Sequence, residues 1–449
     1  MSDYLARLAR AAHDVRVETL GAGARTAARL VVLDTLGAIC AGSRLGENRR
    51  LAKLAAARSG RGVATLLGHV ERAEPMLAAL VNGTAGVALE VDEGNRWGGG
   101  HPAIHVLPAA LATAEELGLG GRALIESVIA GYEVTSRLGG ATRTRDNVHS
   151  HGTWGTAGAA VAVARLRGHG ADDLRTVINL AVSMSPANSW TPCFEGATVR
   201  NLYPGRAGLQ GVLAADALAC GFTAPADAPS DVYGTILGDA FDAEAVEAGL
   251  GDGYRIERNY VKLHACCLYN HPALDAVHAL RATERFAPEA VARIEVTSIP
   301  FVTRMADAAP ATMLSAKFSV PWAVAAAVVL GRSDVDAFGP AALADARVRD
   351  LATRVTVQGH DGMSLRRPDG TTATVRITLT DGRVLTGATG VVRGDAANPV
   401  GWDVVTDKFY RLAAPTLGEG GAADVITLTE RLDELKDVRD LTALLVPVR

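Results

Sequence analysis

The sequence predicts a mainly α fold in which a smaller α+β lid domain is inserted into a large all-helical domain. Two observations lead to this prediction. Apolar residues recur at helical spacing up to about residue 258 and again after about residue 395, whereas several segments between them alternate with a period of two. We therefore expect residues 1–258 and 395–449 to form the helical domain, and residues 259–394 to form the lid.

The helical segments of the first part are rich in Ala, Leu, Gly and Val and are separated by glycine-containing breaks. The segment IHVLPAALATAEELG places Ile104, Leu107 and Leu111 on one face, and TWGTAGAAVAVARLRG consists of residues small enough for close helix packing. Both are expected to be core helices. The tail ADVITLTERLDELKDVRDLTALL returns to the helical period, which is why it is assigned to the same domain as the first part.

The strands of the lid are predicted from alternation. ARIEVTSIP (292–300), RVTVQ (354–358) and TATVRITLTDGRVLTGAT all alternate, and Asp381-Gly382 in the last segment suits a tight hairpin turn. Helical stretches such as SVPWAVAAAVVLG lie between them. The lid is therefore expected to be α+β.

Composition excludes several classes of protein. The chain has 449 residues, 48% of them hydrophobic, and a formal net charge of −4, so a globular fold is expected and a nucleic-acid partner is not. The apolar runs are too short to span a membrane, and the start of the chain lacks a signal-peptide core.

Five cysteines at irregular spacing favour a reducing, cytoplasmic location. Only five of the 45 basic residues are lysines, namely Lys53, Lys262, Lys317, Lys408 and Lys436. A lysine can be tuned to lose its proton whereas an arginine cannot, so these few lysines are candidates for a chemical role.

The first polar cluster is ALEVDEGNRWGGGHPAIH, which contains Glu90, Asp92, Glu93, Asn95 and His101. Its glycines permit close approach of a ligand, and His101 directly precedes an expected helix, where anions are favoured. A solvated acidic turn followed by a flexible loop is the alternative interpretation. On the functional interpretation, Glu90, Asp92, Asn95 and His101 are the candidate site residues, and the residues alone give the two interpretations about equal weight.

Two further clusters supply histidine and arginine. RDNVHSHGTWGTAGAA places His149 and His151 before a helix, and without a zinc-type spacing nearby, proton transfer is favoured over metal binding. VRNLYPGRAG contains Arg200 and Arg206, whose planar guanidinium groups suit a carboxylate, although a surface ion pair is the alternative.

The fourth cluster, KLHACCLYNHP, contains two cysteines and two histidines, but adjacent cysteines do not have the spacing of known zinc sites, so no metal is predicted. Cys266 and Cys267 are expected to be packing residues. The chain shows no phosphate-binding or dinucleotide-binding glycine pattern and no nucleophile elbow, so no cofactor is predicted. What remains, histidines with arginines and a lysine in polar loops, suits removal of a proton next to a carboxylate of a small acid.

Five segments together resemble the MmgE/PrpD family, which includes 2-methylcitrate dehydratases, cis-aconitate decarboxylases and an iminodisuccinate epimerase. They are NGTAGVALEVDE, GGHPAIHVLPAAL, HSHGTWGTAGAA, KLHACCLYNHPALDA and AKFSVPWAVAAA. The resemblance implies a helical domain built from both chain ends with an inserted lid, an active site between the two that needs no metal, and a homodimer. By position it implies catalytic roles for His101, His149 rather than His151, Lys262 and His271, and it places the family's acidic stretch at Glu90 and Asp92.

Two positions depart from the family pattern. Arg200 stands where decarboxylases of the family have a lysine, and Trp322 where many members have a tyrosine. Arginine retains the positive charge, so a substrate-binding role for Arg200 is expected, whereas neither residue is expected to donate a proton.

The expected activity is that of a cofactor-independent lyase, a dehydratase or decarboxylase, acting on a small di- or tricarboxylate. His101 or His149 removes a proton α to a carboxylate, Lys262 and Arg200 neutralise the enolate, and His271 or the other histidine returns a proton. An epimerase of a small dicarboxylate and a non-catalytic binding member of the family are the alternatives.

Overall fold

The computed structural model describes residues 3–365 and 372–447. The fold is 59% helical, which confirms the prediction of a mainly α protein. The helices up to residue 247 are Tyr4–His13 (α1), Ala22–Gly42 (α2), Gly46–Arg58 (α3), Pro75–Val87 (α4), Pro102–Leu117 (α5), Gly121–Ala141 (α6), Gly155–Leu166 (α7), Ala171–Ser183 (α8), Thr191–Glu195 (α9), Leu202–Ala219 (α10) and Ala243–Glu247 (α11). They enclose one large apolar core in which α4 packs on α10 and α6 on α7.

The sequence predicts that this part of the chain is entirely helical, but the structure shows that it is not. Two small antiparallel sheets join it, one between Ala64–Thr65 (β1) and Arg72–Ala73 (β2), the other between Thr142–Thr144 (β3) and Gly238–Phe241 (β4). Strands of two to four residues are too short to show a period, and these pair only because the surrounding helices bring them together.

Residues after 264 build most of a second core, to which Ala38, Ala41, Leu89, Val91 and Cys193 also contribute. Its helices are His271–Thr283 (α12), Met313–Lys317 (α13), Val320–Leu330 (α14), Pro340–Ala344 (α15) and Ala346–Ala352 (α16), and its strands are Val291–Ser298 (β5), Val355–Gly359 (β6), Ala373–Leu379 (β7) and Val384–Thr389 (β8). The sheet order is β6-β5-β7-β8, with β5 and β6 parallel and the other pairs antiparallel. The predicted strands and the hairpin at Asp381-Gly382 are confirmed, since Gly382 has the left-handed φ of 86° that the turn requires.

The chain then returns to the first core. Trp402–Glu430 (α17), which bends at Gly418, packs along α2, and Arg439–Thr442 (α18) follows it. This packing agrees with a helical unit made from both chain ends, while the inserted lid and the domain boundaries stay predictions. Residues 1–2 and 448–449 of the predicted helical domain, and residues 366–371 of the predicted lid, lie outside the described residues. Within the described ranges, no one helix has both the length and the apolar character to cross a membrane; α2 and α3 together have them, but meet at 97°.

Candidate active site

The loop between α4 and α5 holds a buried group of charges. Glu90 and Asp92 are fully buried, so the alternative of a solvated acidic turn is wrong. Glu90 accepts a hydrogen bond from Lys262 Nζ at 2.7 Å and forms an ion pair with Arg200, and Lys262 Nζ lies 3.9 Å from Asp92 Oδ1. Glu90 also has a left-handed φ of 55°, rare for a residue with a side chain. Such strain persists where the surroundings fix it, as at functional sites.

These charges hold one another in the ionised state. Burial alone would raise the pKa of Glu90, but the positive charges of Arg200 and Lys262 outweigh it and lower that pKa below its usual value. Burial likewise opposes the charge of Lys262, yet Glu90 and Asp92 raise its pKa. The result is a water-poor site with fixed, balanced charges, the kind of environment that stabilises charge developing in a reaction.

His101 stands at the start of α5 with one ring nitrogen fixed. Its Nδ1 lies 2.6 Å from the backbone oxygen of Glu93 and 3.1 Å from Asp92 Oδ2. Because a carbonyl oxygen can only accept, Nδ1 carries the proton, and the lone pair of the neutral ring is at Nε2. That nitrogen lies 3.4 Å from the hydroxyl of Tyr260. His101 therefore has the orientation of a general base supported by a carboxylate.

His149 is oriented in the opposite sense. Its Nδ1 accepts a hydrogen bond from the backbone N–H of His151 at 2.9 Å, so the proton of the neutral ring is on Nε2. This Nε2 is buried and has no hydrogen-bond partner within the described part of the chain. Burial, together with the charge of Arg200, holds the pKa of His149 well below its usual value. The arrangement leaves an N–H donor free for a ligand.

His105, one helical turn after His101, joins the two histidine segments. Its Nδ1 donates to the His101 backbone oxygen at 2.6 Å, and its Nε2 accepts from the Gly152 N–H at 2.8 Å. Burial lowers its pKa to about 4, so it remains neutral and structural. Arg206 supports the same loop through the side chain of Asn188, which donates to the His151 backbone oxygen at 2.6 Å.

A cavity of about 140 Å³ opens beside these groups, which is small next to the roughly 300–1,000 Å³ of typical ligand pockets and so suits a small ligand rather than a large one. One side is polar, and the other is aromatic and aliphatic. Its lining residues are Glu90, Asn95, Arg96, Gly99, Gly100, His101, His149, Ser150, His151, Trp190, Arg200, Tyr260, Cys267, Leu268, Tyr269, Phe318 and Leu365.

The predicted site residues other than His271 fall into two groups. Glu90, Asn95, His101, His149 and Arg200 line the cavity, with the Asn95 amide holding its own loop through Gly98 and Arg255. Asp92 and Lys262 lie behind Glu90 and His101 and contact these groups rather than the cavity.

His271 belongs to neither group. Among residues 3–365 and 372–447 it does not line the cavity; its Nε2 lies 3.2 Å from the Cys266 backbone oxygen and its ring packs 4.9 Å from that of His264. Its catalytic role stays a prediction. Trp322 is a buried core residue whose indole donates to the Ala337 backbone oxygen.

Sequence reasoning missed several functional neighbours. His105 could have been found from its spacing of four residues after His101 on one helix face. His151 had been set aside for His149, yet it lines the cavity and its ring stacks on His101 at 4.5 Å. Trp190 and Tyr260 gave no signal, because each reaches the site from a distant, irregular segment.

One group of possible metal ligands lies at the site. Ligand atoms of Asp92, His101 and His151 lie within 4.8 Å of one another. The fit is poor, because His101 Nδ1 already donates to a carbonyl and the nearby Arg200 and Lys262 would repel a cation. The expectation of no metal stays a prediction.

The fold and the cavity together define a mainly helical protein in which buried histidines, an arginine and carboxylates surround a small cavity. The chain belongs to the MmgE/PrpD family: the family's N-terminal domain matches residues 6–239 and its C-terminal domain residues 264–434. The predicted family is thereby confirmed.

Curated relatives are similar over nearly the whole chain. A cis-aconitate decarboxylase-like protein of Aspergillus oryzae is 24% identical over 93% of this chain and 92% of its own length. The cis-aconitate decarboxylases of Aspergillus terreus (24% identical) and Mus musculus (26%) match over 93% and 96% of this chain and 91% of their own lengths. These relatives support an enzyme of the MmgE/PrpD type.

Proposed function

We propose that this protein is a cofactor-independent lyase that removes a proton α to a carboxylate of a small di- or tricarboxylate. The observation that most favours this reaction is the opposite orientation of the two histidines at one cavity: His101 offers a lone pair at Nε2, and His149 offers a proton at Nε2. A base and an acid facing the same small cavity can move two protons in one turnover. The names of the curated relatives support the lyase class.

In the proposed reaction, His101 Nε2 takes the α proton, and the electron pair of the broken C–H bond moves onto the adjacent carboxylate as an enolate. Arg200, at the cavity wall, neutralises that charge, while Lys262 acts indirectly by keeping Glu90 in place. In dehydration, the enolate electrons expel the β-hydroxyl group, which leaves as water after taking the Nε2 proton of His149, and the proton held on His101 then returns to the His149 imidazolate. In decarboxylation, which needs no removal of an α proton, carbon dioxide leaves, its C–C electrons pass into an adjacent carbon–carbon double bond, and His149 protonates the far carbon of that bond and regains a proton from solvent.

The test separates the two histidines. Turnover and uptake of solvent deuterium at the α carbon are measured by mass spectrometry on 2-methylcitrate, citrate, cis-aconitate and iminodisuccinate. His101→Ala should lower both turnover and exchange by about 10² or more, because the base is lost. His149→Ala should lower turnover to a similar degree and leave most of the exchange, because the α proton still moves.

His13→Ala, a substitution at the surface end of α1, is the matched control and should retain full activity. Near-normal turnover in His101→Ala would contradict the assignment of the base. Exchange without loss of water or carbon dioxide in the unmodified protein would instead identify an epimerase.

A further inference from the structure

The apolar side of the cavity is formed by aromatic rings. Trp190, Tyr269 and Phe318 line it, and we call these three residues the aromatic wall. The Trp190 ring centre lies 6.4 Å from those of both Tyr269 and Phe318. Phe301 supports the wall from behind, 4.9 Å from Trp190 and 4.6 Å from Tyr269. The rings are tilted against one another, by 38° between Trp190 and Tyr269 and by 71° between Trp190 and Phe318, and together they present apolar area to the cavity.

The aromatic wall is continuous with the acid–base groups. The ring centres of Trp190 and His149 are 4.0 Å apart, and the Arg200 guanidinium lies 5.3 Å from the centre of the Phe318 ring. Leu268 and Leu365 extend the same apolar side. A ligand held by Arg200 and His149 therefore has an apolar surface directly beside it, and an all-polar ligand would leave that surface without a partner.

The positive charge available to a ligand is limited. Among residues 3–365 and 372–447, the arginines at the cavity are Arg96 and Arg200, and each already pairs with a buried carboxylate, Asp395 and Glu90 respectively. Lys262 also pairs with Glu90. A ligand with three carboxylates would bring three negative charges to a site whose fixed charges are nearly balanced, and burying charge without a partner is costly.

We propose that the substrate is a dicarboxylate whose carbon chain has a branched alkyl or aryl substituent, bound with one carboxylate at Arg200 and the substituent on the aromatic wall. This inference rests on the proposed function, since it takes the ligand to be the acid whose α proton is removed. The substituent packs against Trp190, which in turn contacts His149, so the same contact selects the substrate and positions the proton donor.

The experiment measures equilibrium binding by calorimetry for phenylsuccinate, succinate and propane-1,2,3-tricarboxylate. The unmodified protein should bind phenylsuccinate at least about tenfold more tightly than either other acid, as expected for apolar area placed in a matching pocket. Trp190→Ala should reduce the preference for phenylsuccinate over succinate to less than about threefold, because the loss of apolar contact falls mainly on phenylsuccinate. Phe222→Ala, which truncates an exposed aromatic residue, is the control and should retain the preference.

Tyr269→Ala is a second variant on the same wall and decides the question if Trp190→Ala does not fold, as judged by its thermal unfolding. Tightest binding of the tricarboxylate, no binding of phenylsuccinate, or an unchanged preference in the folded wall variants would overturn the proposal. Deuterium exchange on the same acids keeps the two proposals apart. Preferred binding of phenylsuccinate without α-proton exchange on any acid contradicts the lyase and not the ligand class, whereas exchange confined to tricarboxylates contradicts the ligand class and not the lyase.

Discussion

Glu93 connects the backbone of the acidic loop to helix α5. Its carboxyl group accepts hydrogen bonds from the Ala103 N–H at 2.7 Å and from the Tyr132 hydroxyl at 3.0 Å, and its backbone oxygen accepts from His101. Burial raises the pKa of Glu93 to about 8, and the negative charges of Asp92 and Asp34 raise it further. The two hydrogen bonds lower this pKa but do not offset the effect of burial. At neutral pH the folded protein therefore holds Glu93 mostly as the uncharged acid.

This raised pKa predicts a specific pH dependence of stability. An unfolded glutamate loses its proton near pH 4.3, roughly, whereas Glu93 in the folded state keeps it until about pH 8. Between these values the folded state binds more protons than the unfolded state. Glu93 therefore contributes fully to the free energy of unfolding below the unfolded pKa. That contribution is lost as the pH rises towards the folded pKa, by up to about 1.4 kcal/mol per pH unit. Glu93→Gln keeps the shape without the charge and should flatten this slope.

Urea unfolding at intervals from pH 5 to 8 checks the prediction. Glu419→Gln, at an exposed position, is the control and should retain the slope of the unmodified protein. Parallel stability profiles for Glu93→Gln and the unmodified protein would show that the buried acid does not titrate as expected.

The sequence predicted the residues of this loop but not their environment. Glu90, Asp92, Asn95 and His101 were selected as one cluster because they are close in sequence. Their burial depends on partners distant in sequence, such as Lys262, which is 172 residues from Glu90. A single sequence does not reveal such pairs, so a solvated turn remained an equal alternative.

Helices α4 and α10 are in direct backbone contact next to the site. Helix α4 leads into the acidic loop, and α10 follows Arg200, so their contact fixes the separation of Glu90 and Arg200. A Cβ atom added at Gly205 would lie 2.2 Å from the Leu80 backbone oxygen, too close for any side chain. Helix backbones approach this closely only where glycine is present.

We expect Gly205→Ala to destabilise the protein by about 1–3 kcal/mol, because the clash is with backbone and the helices must separate. Substrate turnover should fall as well, since Arg200 moves relative to Glu90. The matched control is Gly208→Ala, one turn along the same helix, where the added Cβ meets Ala79 at an ordinary 3.4 Å. This change should be neutral or slightly stabilising, because alanine favours helix over glycine. Equal unfolding free energies in the two variants would contradict the role of the crossing.

Element types were predicted where periodicity is strong. The strands β5, β6, β7 and β8 alternate because one face packs on the second core, and that alternation is visible in the sequence. The two-residue strands β1 and β2 have no period to detect and were missed. The aromatic wall was also missed, because Trp190 and Tyr269 come from separate irregular segments whose meeting depends on the tertiary fold.

At the scale of the whole molecule, a buried ion pair joins the two ends of the chain to the site. Lys408 on α17 donates to Asp34 on α2 at 2.6 Å and to the Val91 backbone oxygen at 2.6 Å. Burial raises the pKa of Asp34, and the positive charge of Lys408 acts against that shift. Val91 lies between Glu90 and Asp92, and α17 therefore contacts the acidic loop directly through Lys408.

Lys408 has two roles: it pairs with buried Asp34, and it contacts the acidic loop at Val91. Comparing Lys408→Met alone with Lys408→Met combined with Asp34→Ala should separate these roles. The single change leaves a buried acid without its partner and should lower the free energy of unfolding by about 3–5 kcal/mol. Removing both partners should restore more than half of that loss, because an apolar pair needs no charge compensation. Turnover should stay low in the double variant, since Val91 still lacks its donor and the loop is less constrained. Lys53→Met, on the exposed face of α3, is the control and should change neither stability nor turnover. Full recovery of activity in the double variant would mean that Lys408 acts on stability alone.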